Sequence, residues 1–416
     1  MTENLEISRR RMLGTVGAAG AAGLALGAAS GAGVYAAAAG PSADGTALTS
    51  VGSTEAMFHG KHQAGITTPL QARGHLLAFD LAPGAGRNEA TALLRRWSAT
   101  ARALMAGKPA DGGQDTGIAL DAGPSSLTVT FGFGHSFFGR TGLTARRPTE
   151  LDALPAFSAD ALDPKRSNGD LWIQIGSDDA LVAFHALRAL QKDAGDAARV
   201  RWQMNGFNRS PGATARPMTA RNLMGQVDGT GNPKPSEPDF DRRIFVPDGA
   251  SGPQAWMAGG SYAVVRRIRM LLDDWEKLPL EKQERVIGRR KSDGAPLTGG
   301  SETTELDLNK MGPDGKLVIP DNAHARISAP EQNGGAAMLR RPFSFHDGIA
   351  PDGTPDAGLL FICWQADPLK GFVPVQRKLD RGDALSPFLR HEASGLFAVP
   401  GGPAEGEYVG QRLLES

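Results

Sequence analysis

Cysteine is almost absent from this chain of 416 residues, which contains only Cys363. A single thiol excludes an internal disulfide, and it excludes a metal site built from several cysteines. An excess of charge of one sign is also missing, since 45 basic residues balance 45 acidic residues. No net field therefore attracts the chain to nucleic acid or to a membrane surface, and we expect no nucleic-acid partner.

An apolar run near the N-terminus is poor in Leu, Ile and Phe and is dominated by Ala and Gly as far as Ala39. Such a run makes a poor membrane span. It follows Arg9 and Arg10 in the segment SRRRML and ends in small residues, so we predict that residues 1–39 are a cleavable signal peptide. The segment resembles the twin-arginine motif, which implies the twin-arginine translocase as a partner and a periplasmic or extracellular location.

Export by that pathway usually follows folding in the cytoplasm. Because the cytoplasm is reducing, the lack of disulfides fits this order of events. Folding before export also allows a cofactor to be loaded first.

Hydrophobic periodicity in the rest of the chain predicts the same order of elements twice. The first series has predicted strands at 75–81, 126–133, 170–176 and 199–204, with helices at 88–105 and 179–193. The second has predicted strands at 261–270, 337–345, 358–365 and 395–399, with helices at 271–288 and 375–389. Each series is the β-α-β-β-α-β pattern of a ferredoxin-like unit. We therefore predict an α+β fold of two ferredoxin-like halves, 55–220 and 221–416.

Long connections interrupt both series at 139–168, 208–258 and 289–332, and loops of such length are usually functional or disordered. The second connection contains Gly225-Gln-Val-Asp228-Gly229. Taken alone, this segment is typical of a surface turn. Its glycines would also let the backbone approach a flat ligand closely beside an acidic side chain.

The third connection contains His324-Ala-Arg326, followed downstream by Arg340 and Arg341. The chain has seven other histidines, and a lone histidine is more often an ordinary residue than a ligand. His324 differs from the others by its position before the arginine pair.

Together these segments resemble the dye-decolorizing peroxidase family, whose signature is Gly-x-x-Asp-Gly. Further similar blocks are 61–66 (KHQAGI), 128–135, 358–367 and 396–402. They occur in the family's order over nearly the whole mature chain. The resemblance implies two ferredoxin-like halves packed around a b-type haem.

The resemblance also implies roles for individual residues. His324 would be the axial iron ligand, and Asp383 is our candidate for the acidic partner that raises its basicity. Asp228 would take a proton from hydrogen peroxide and return it to the departing oxygen. Arg340 would stabilise developing negative charge, and only the resemblance favours it over Arg341. An aspartate base remains ionised in mildly acidic solution, which implies an acidic optimum.

Other residues would contact the haem itself. Leu359 and Phe361 lie two apart on one predicted strand face and would cover the distal side. Arg326 would pair with a haem propionate. The remaining predicted contacts come from the signature loop: Gly225, Gly229 and Thr230.

The function that follows is a hydrogen-peroxide-dependent haem peroxidase that oxidises dyes, phenols or similar bulky reductants. The alternative is a haem-binding deferrochelatase that releases iron in an exported iron-acquisition system, with iron-uptake proteins as partners. A third hypothesis is an exported ferredoxin-like protein that has lost its haem, although His324 is present. The sequence leaves a homo-oligomer open.

Overall fold

The computed structural model describes residues 49–110, 115–214 and 218–416. The predicted signal peptide lies outside the described residues. The strands are β1 (Arg73–Leu81), β2 (Thr128–Gly134), β3 (Leu171–Ser177), β4 (Ala198–Phe207), β5 (Ser261–Met270), β6 (Leu339–Arg340), β7 (Phe343–Ile349), β8 (Pro355–Gln365) and β9 (Leu389–Val399). The helices are α1 (Ser50–Ser53), α2 (Arg87–Met105), α3 (His135–Arg140), α4 (Ala180–Ala194), α5 (Phe240–Ile244), α6 (Leu272–Glu276), α7 (Leu280–Ile287), α8 (His324–Ile327), α9 (Phe372–Gly382) and α10 (Gln411–Leu414).

The sheet contains the same strand order twice. In the first half the order is β2-β3-β1-β4, and in the second it is β9-β5-β8-β7, with antiparallel neighbours throughout. The strands can be numbered 1 to 4 within each half if β6 and β7 count together as the second strand of the second half. The order β9-β5-β8-β7 is then 4-1-3-2, and β2-β3-β1-β4 is the same order in reverse. This is the ferredoxin-like order. The α+β fold with two ferredoxin-like halves is therefore confirmed. The halves join at two short pairings, β2 with β9 and β4 with β7. The boundary between residues 220 and 221 stays a prediction.

The first half shows how sequence pattern becomes packing. In α2, Leu93, Leu94, Trp97 and Ala101 recur at helical spacing and are buried. The Trp97 ring lies 5.0 Å from the ring of Phe79 on β1 and its indole Nε1 donates a 2.8 Å hydrogen bond to a carbonyl of α4. Buried tryptophan thereby fills the space between helices and sheet without leaving its N–H unpaired.

The second half differs from the sequence prediction in three elements. The predicted helix 271–288 is two helices, because Pro279 precedes α7 and lacks the N–H that would continue α6. The predicted strand 337–345 is interrupted between β6 and β7, where Pro342 cannot donate to the ladder. The predicted helix 375–389 ends at Gly382, so Asp383 lies at the C-terminal end of α9.

Within the described ranges, no helix is both long and apolar enough to cross a membrane.

Candidate active site

A cavity of about 760 Å³ lies in the second half of the chain. Its walls come from the loop after residue 221, the loop after Arg289, the segment from His324 to Pro342, helix α9, and strands β5, β8 and β9. This volume is within the usual range of small-molecule and cofactor sites. The second and third long connections, which carry the motifs found in the sequence, therefore meet at one site.

His324 and Asp383 form a hydrogen-bonded pair in the cavity wall. His324 begins α8, and its Nδ1 lies 2.9 Å from Oδ2 of Asp383, whose side chain is only 2% exposed. The other carboxylate oxygen accepts from the backbone N–H of Leu385 at 3.1 Å. Because the carboxylate can only accept, Nδ1 of His324 carries the proton, and Nε2 is left to act as a ligand.

The electrostatics of this pair favour a basic imidazole. Burial by itself would lower the pKa of His324, but the charge of Asp383 and the hydrogen bond to it raise the pKa above its usual value. The exposed 28% of the His324 side chain faces the cavity. The structure thus brings together two residues that are 59 positions apart.

A second pair in the same cavity consists of Asp228 and Arg340. Nη1 of Arg340 donates to Oδ1 of Asp228 at 3.2 Å, and the amide of Asn222 donates to Oδ2 at 3.3 Å. Asn232 holds the Arg340 backbone from both sides: its Oδ1 accepts from the Arg340 N–H at 3.0 Å, and its Nδ2 donates to the Arg340 carbonyl at 2.8 Å. The carboxylate and the guanidinium are therefore held in one orientation.

The signature loop contributes Gly229 and Thr230 to the cavity wall but not Gly225. Gly225 has φ +79° and closes a turn behind the wall, where a side chain would collide with Lys291. The hydroxyl of Thr230 donates to Glu302 at 3.0 Å, and this carboxylate also accepts from Thr219. Glu302 thus ties the loop to the third connection.

Arg326 lies outside the residues that line the cavity, in contrast to the predicted contact with a propionate. Its guanidinium donates instead to backbone carbonyls of Leu308, Ile319 and Pro320. Three carbonyls accept from its Nε and Nη2, so Arg326 braces the loop that precedes α8. Its contact with a propionate stays a prediction. Leu359 and Phe361 do line the cavity, as expected from their spacing on β8.

Arg341 points away from the cavity, on the other side of the chain from Arg340. It is 4% exposed and donates to the carbonyls of Gly65 and Pro69 and to the side chain of Gln71. The alternation expected along a strand thereby separates the two arginines.

Several polar residues at or beside the cavity were missed by sequence reasoning, among them Asn232, Arg289, Gln376 and His391. Asn232 lies three residues after Gly229 of the signature loop, and this position is a signal by which the sequence could have identified it. Arg289, Gln376 and His391 line the cavity, but an arginine after a helix, a glutamine in a helix and a histidine in a strand carry no distinctive pattern. Burial lowers the pKa of Arg289, and the nearby charge of Glu302 opposes this shift.

Comparison with known proteins agrees with this geometry. Residues 63–208 match the family model described as Dyp-type peroxidase, N-terminal, and residues 219–404 match Dyp-type peroxidase, C-terminal. A dye-decolorizing peroxidase of Thermobifida fusca is 46% identical over 364 residues, which cover 85% of this chain and 84% of the relative. The chain belongs to the Dyp-type peroxidase family.

Other relatives carry a different name or have solved structures. A deferrochelatase of Escherichia coli is 34% identical over 422 residues, which cover 98% of this chain and 97% of the relative. Ferric DtpA from Streptomyces lividans is 78% identical and covers 89% of this chain with a TM-score of 0.86, over 100% of its own length. This Dyp-type peroxidase is therefore a haem-binding enzyme whose substrates are hydrogen peroxide and a reductant.

The residues of the cavity fit a haem. Its wall offers Nε2 of His324, whose ring is oriented by Asp383, as a nitrogen that can bind iron. It also has apolar side chains such as Leu359 and Phe361, and a separate acid and arginine pair. A peroxidase haem needs a nitrogen ligand on one side and an open position on the other.

Proposed function

We propose that the cavity of this Dyp-type peroxidase holds haem b with His324 as its axial ligand, and that the enzyme uses hydrogen peroxide to oxidise dyes, phenols or similar bulky reductants. The observation that carries this proposal is that the His324–Asp383 pair and the Asp228–Arg340 pair line one cavity. The name of the Thermobifida fusca relative supports dyes as reductants.

When bound, haem supplies the redox chemistry that couples the reduction of peroxide to the oxidation of the reductant. The protein's contribution is to place charge and protons. Asp383 keeps Nδ1 of His324 protonated and makes the ring a stronger donor at Nε2. This fixes both the tautomer and the orientation of the ligand.

Asp228 is placed to move the proton of hydrogen peroxide. Its Oδ1 is paired with Arg340, while the one contact of its Oδ2 within the described residues is with Asn222 at 3.3 Å. Oδ2 is therefore the atom that takes the proton and returns it. Arg340 supplies fixed positive charge where negative charge develops on oxygen. Asn232 keeps Arg340 in place for this task.

The test is the absorption spectrum of the purified protein before and after one equivalent of hydrogen peroxide, together with bleaching of an anthraquinone dye near pH 4. A Soret band that shifts with peroxide, accompanied by bleaching, is the expected result. Asp228→Asn should keep the Soret band and lower turnover by roughly 10² to 10⁴. Asp352→Asn, at an exposed carboxylate paired with Arg269, is the matched control and should leave turnover unchanged. Normal turnover by Asp228→Asn would remove this residue from the reaction.

A deferrochelatase role is the second candidate, and the Escherichia coli relative favours it. It requires haem binding at His324 but not Asp228 or Arg340. The measurement is release of iron from the haem-loaded protein with the porphyrin ring intact, followed by porphyrin fluorescence. Release that is unaffected by Asp228→Asn, together with a haem spectrum insensitive to peroxide, would favour this role over the peroxidase.

We also propose that residues 1–39 direct export by the twin-arginine translocase, so that the enzyme works in the periplasm or outside the cell. Support comes from the arginine pair and the Ala-rich run in the sequence. Replacement of Arg9 and Arg10 together by Lys should retain the protein in the cytoplasm. Export of that variant at the normal level would contradict the proposal.

A further inference from the structure

Two polar side chains in the cavity wall have no role in the chemistry described above. His391 on β9 is 6% exposed and Gln376 on α9 is 8% exposed, and both line the cavity. Within the described chain, neither side chain makes a hydrogen bond, and Nδ1 of His391 is a buried nitrogen without a partner. Buried polar groups are normally satisfied, so a buried imidazole nitrogen without a partner and an unbonded amide in the wall of one cavity indicate a polar group of the ligand.

The two side chains belong to the same part of the cavity. Phe372, Gln376 and Asp380 are spaced four apart and share one face of α9. The Arg266 guanidinium on β5 lies 5.9 Å from the Phe372 ring, at one end of this face. At the other end, the charge of Asp380 acts on His391. Gln376 therefore lies between a residue that packs near Arg266 on β5 and a residue whose charge reaches His391 on β9.

A positive charge lies behind this position. Arg266 is 1% exposed, pairs with Asp160, and has an Nε that finds no acceptor within the described residues. Burial, reinforced by the charge of Arg266, lowers the pKa of His391 to about 3. The imidazole is therefore neutral under assay conditions, and it can donate one N–H in a positive local field.

The geometry points to a carboxylate subsite: we propose that Gln376 and His391 donate hydrogen bonds to a carboxylate of the molecule bound in the cavity. The donor set is an amide N–H and an imidazole N–H, with a buried guanidinium behind them. At His391 the effect of Arg266 outweighs the opposite effect of Asp380, which disfavours a cation, and an apolar group would leave both donors unpaired. A carboxylate accepts from both donors and is attracted by the positive charge. Its charge-assisted hydrogen bonds are stronger than those between neutral groups.

This carboxylate has two sources, a side chain of the haem or a carboxylate-bearing reductant, and the inference rests on the proposed haem site. To separate them, we would measure the rate at which haem leaves the protein for an excess of apomyoglobin. The same measurement is repeated with haem dimethyl ester, which lacks the charge. The variants are His391→Leu and Gln376→Leu. The control is His185→Leu, which replaces another buried histidine that pairs with Asp115 outside the cavity.

If the carboxylate belongs to the haem, each cavity variant should lose haem about tenfold faster than wild type, because one hydrogen bond to a charged acceptor is lost. Each variant should lose the dimethyl ester at the wild-type rate. Gln376→Glu should lose haem faster still, because its carboxylate repels that of the ligand, while the dimethyl ester is unaffected. The His185 control should match wild type for both ligands.

With the reductant as source, haem loss should be unchanged. The KM for 3-(4-hydroxyphenyl)propionate should then rise about tenfold in both cavity variants, while the KM for the corresponding amide stays constant. Equal acceleration for haem and its ester, or no effect on either haem loss or KM, would overturn the subsite. A wild-type protein that shows no Soret band with added haem would refute the proposed function instead.

Discussion

Arg340 and Arg341 are neighbours in the sequence, yet their replacement should damage two different properties of the protein. Arg341 is buried and pairs with no carboxylate among the described residues. Its guanidinium donates to the carbonyl of Gly65, to the carbonyl of Pro69 at 2.7 Å and to Oε1 of Gln71 at 3.1 Å. Burial lowers its pKa to about 10, so the side chain still carries its charge near neutrality. It therefore fastens the segment 65–71 to the second half of the chain.

Replacement of Arg341 by Met removes these three hydrogen bonds. The Gly65 carbonyl keeps the amide of Gln174 at 3.0 Å and Pro69 is exposed, so among the described residues Oε1 of Gln71 is the acceptor that is left buried without a donor. Each buried acceptor without a partner costs roughly 1–3 kcal/mol, part of which is regained because no guanidinium has to be desolvated. The expected loss is about 1–3 kcal/mol in the free energy of unfolding. Guanidinium chloride denaturation followed by far-ultraviolet circular dichroism would measure it as a lower midpoint with an unchanged slope.

Arg340→Met is the matched control, because it removes the neighbouring charge from a side chain that is 29% exposed. Its pairing with Asp228 is worth about 1 kcal/mol or less to stability. Turnover should fall by roughly 10² to 10³, since a fixed donor to developing charge is lost. If Arg341→Met were as stable as wild type, or if Arg340→Met destabilised the fold and kept its turnover, the opposed placement of the two side chains would be refuted.

Three further substitutions test other contacts. Asp383→Asn should raise the reduction potential of bound haem, because a neutral amide no longer increases the basicity of His324. Spectroelectrochemical titration would measure the potential, and an unchanged value would contradict the role of the His324–Asp383 pair. Glu302→Ala should release the signature loop and lower turnover several-fold with the Soret band intact. Glu302→Gln keeps an acceptor, so its turnover should remain close to that of wild type. Equal turnover in both variants would contradict the loop contact. Asp160→Asn should cost about 3 kcal/mol of unfolding free energy, because the buried charge of Arg266 loses its partner; a denaturation midpoint equal to that of wild type would argue against this ion pair.

Most of the fold could be predicted from local pattern. Alternation of apolar residues marks the strands and helical spacing marks α2 and α4, because each element must bury one face. The element boundaries were less accurate in the second half, where Pro279 and Pro342 divide segments whose apolar periodicity continues across them. The pairings that join the halves, β2 with β9 and β4 with β7, have no local pattern at all.

The candidate site divides in the same way. Asp228, Gly229, Thr230, His324 and Arg340 lie in segments with a recognisable order of residues, and the structure brings all of them to one cavity. Leu359, Phe361 and Asp383 join them there. Gly225 and Arg326 do not line the cavity. Gly225 closes a turn, and the Arg326 guanidinium donates hydrogen bonds to backbone carbonyls.

The sequence by itself therefore determined the doubled ferredoxin-like pattern, the family and the segments that carry the chemistry, because these depend on neighbouring residues. Only the tertiary structure showed that Asp383 is hydrogen-bonded to His324, that Arg340 lines the cavity while Arg341 is buried away from it, and that Gln376 and His391 line the same cavity. The reason is physical: hydrogen bonds and burial are set by the register of strands and the packing of helices, which bring together residues far apart in the chain.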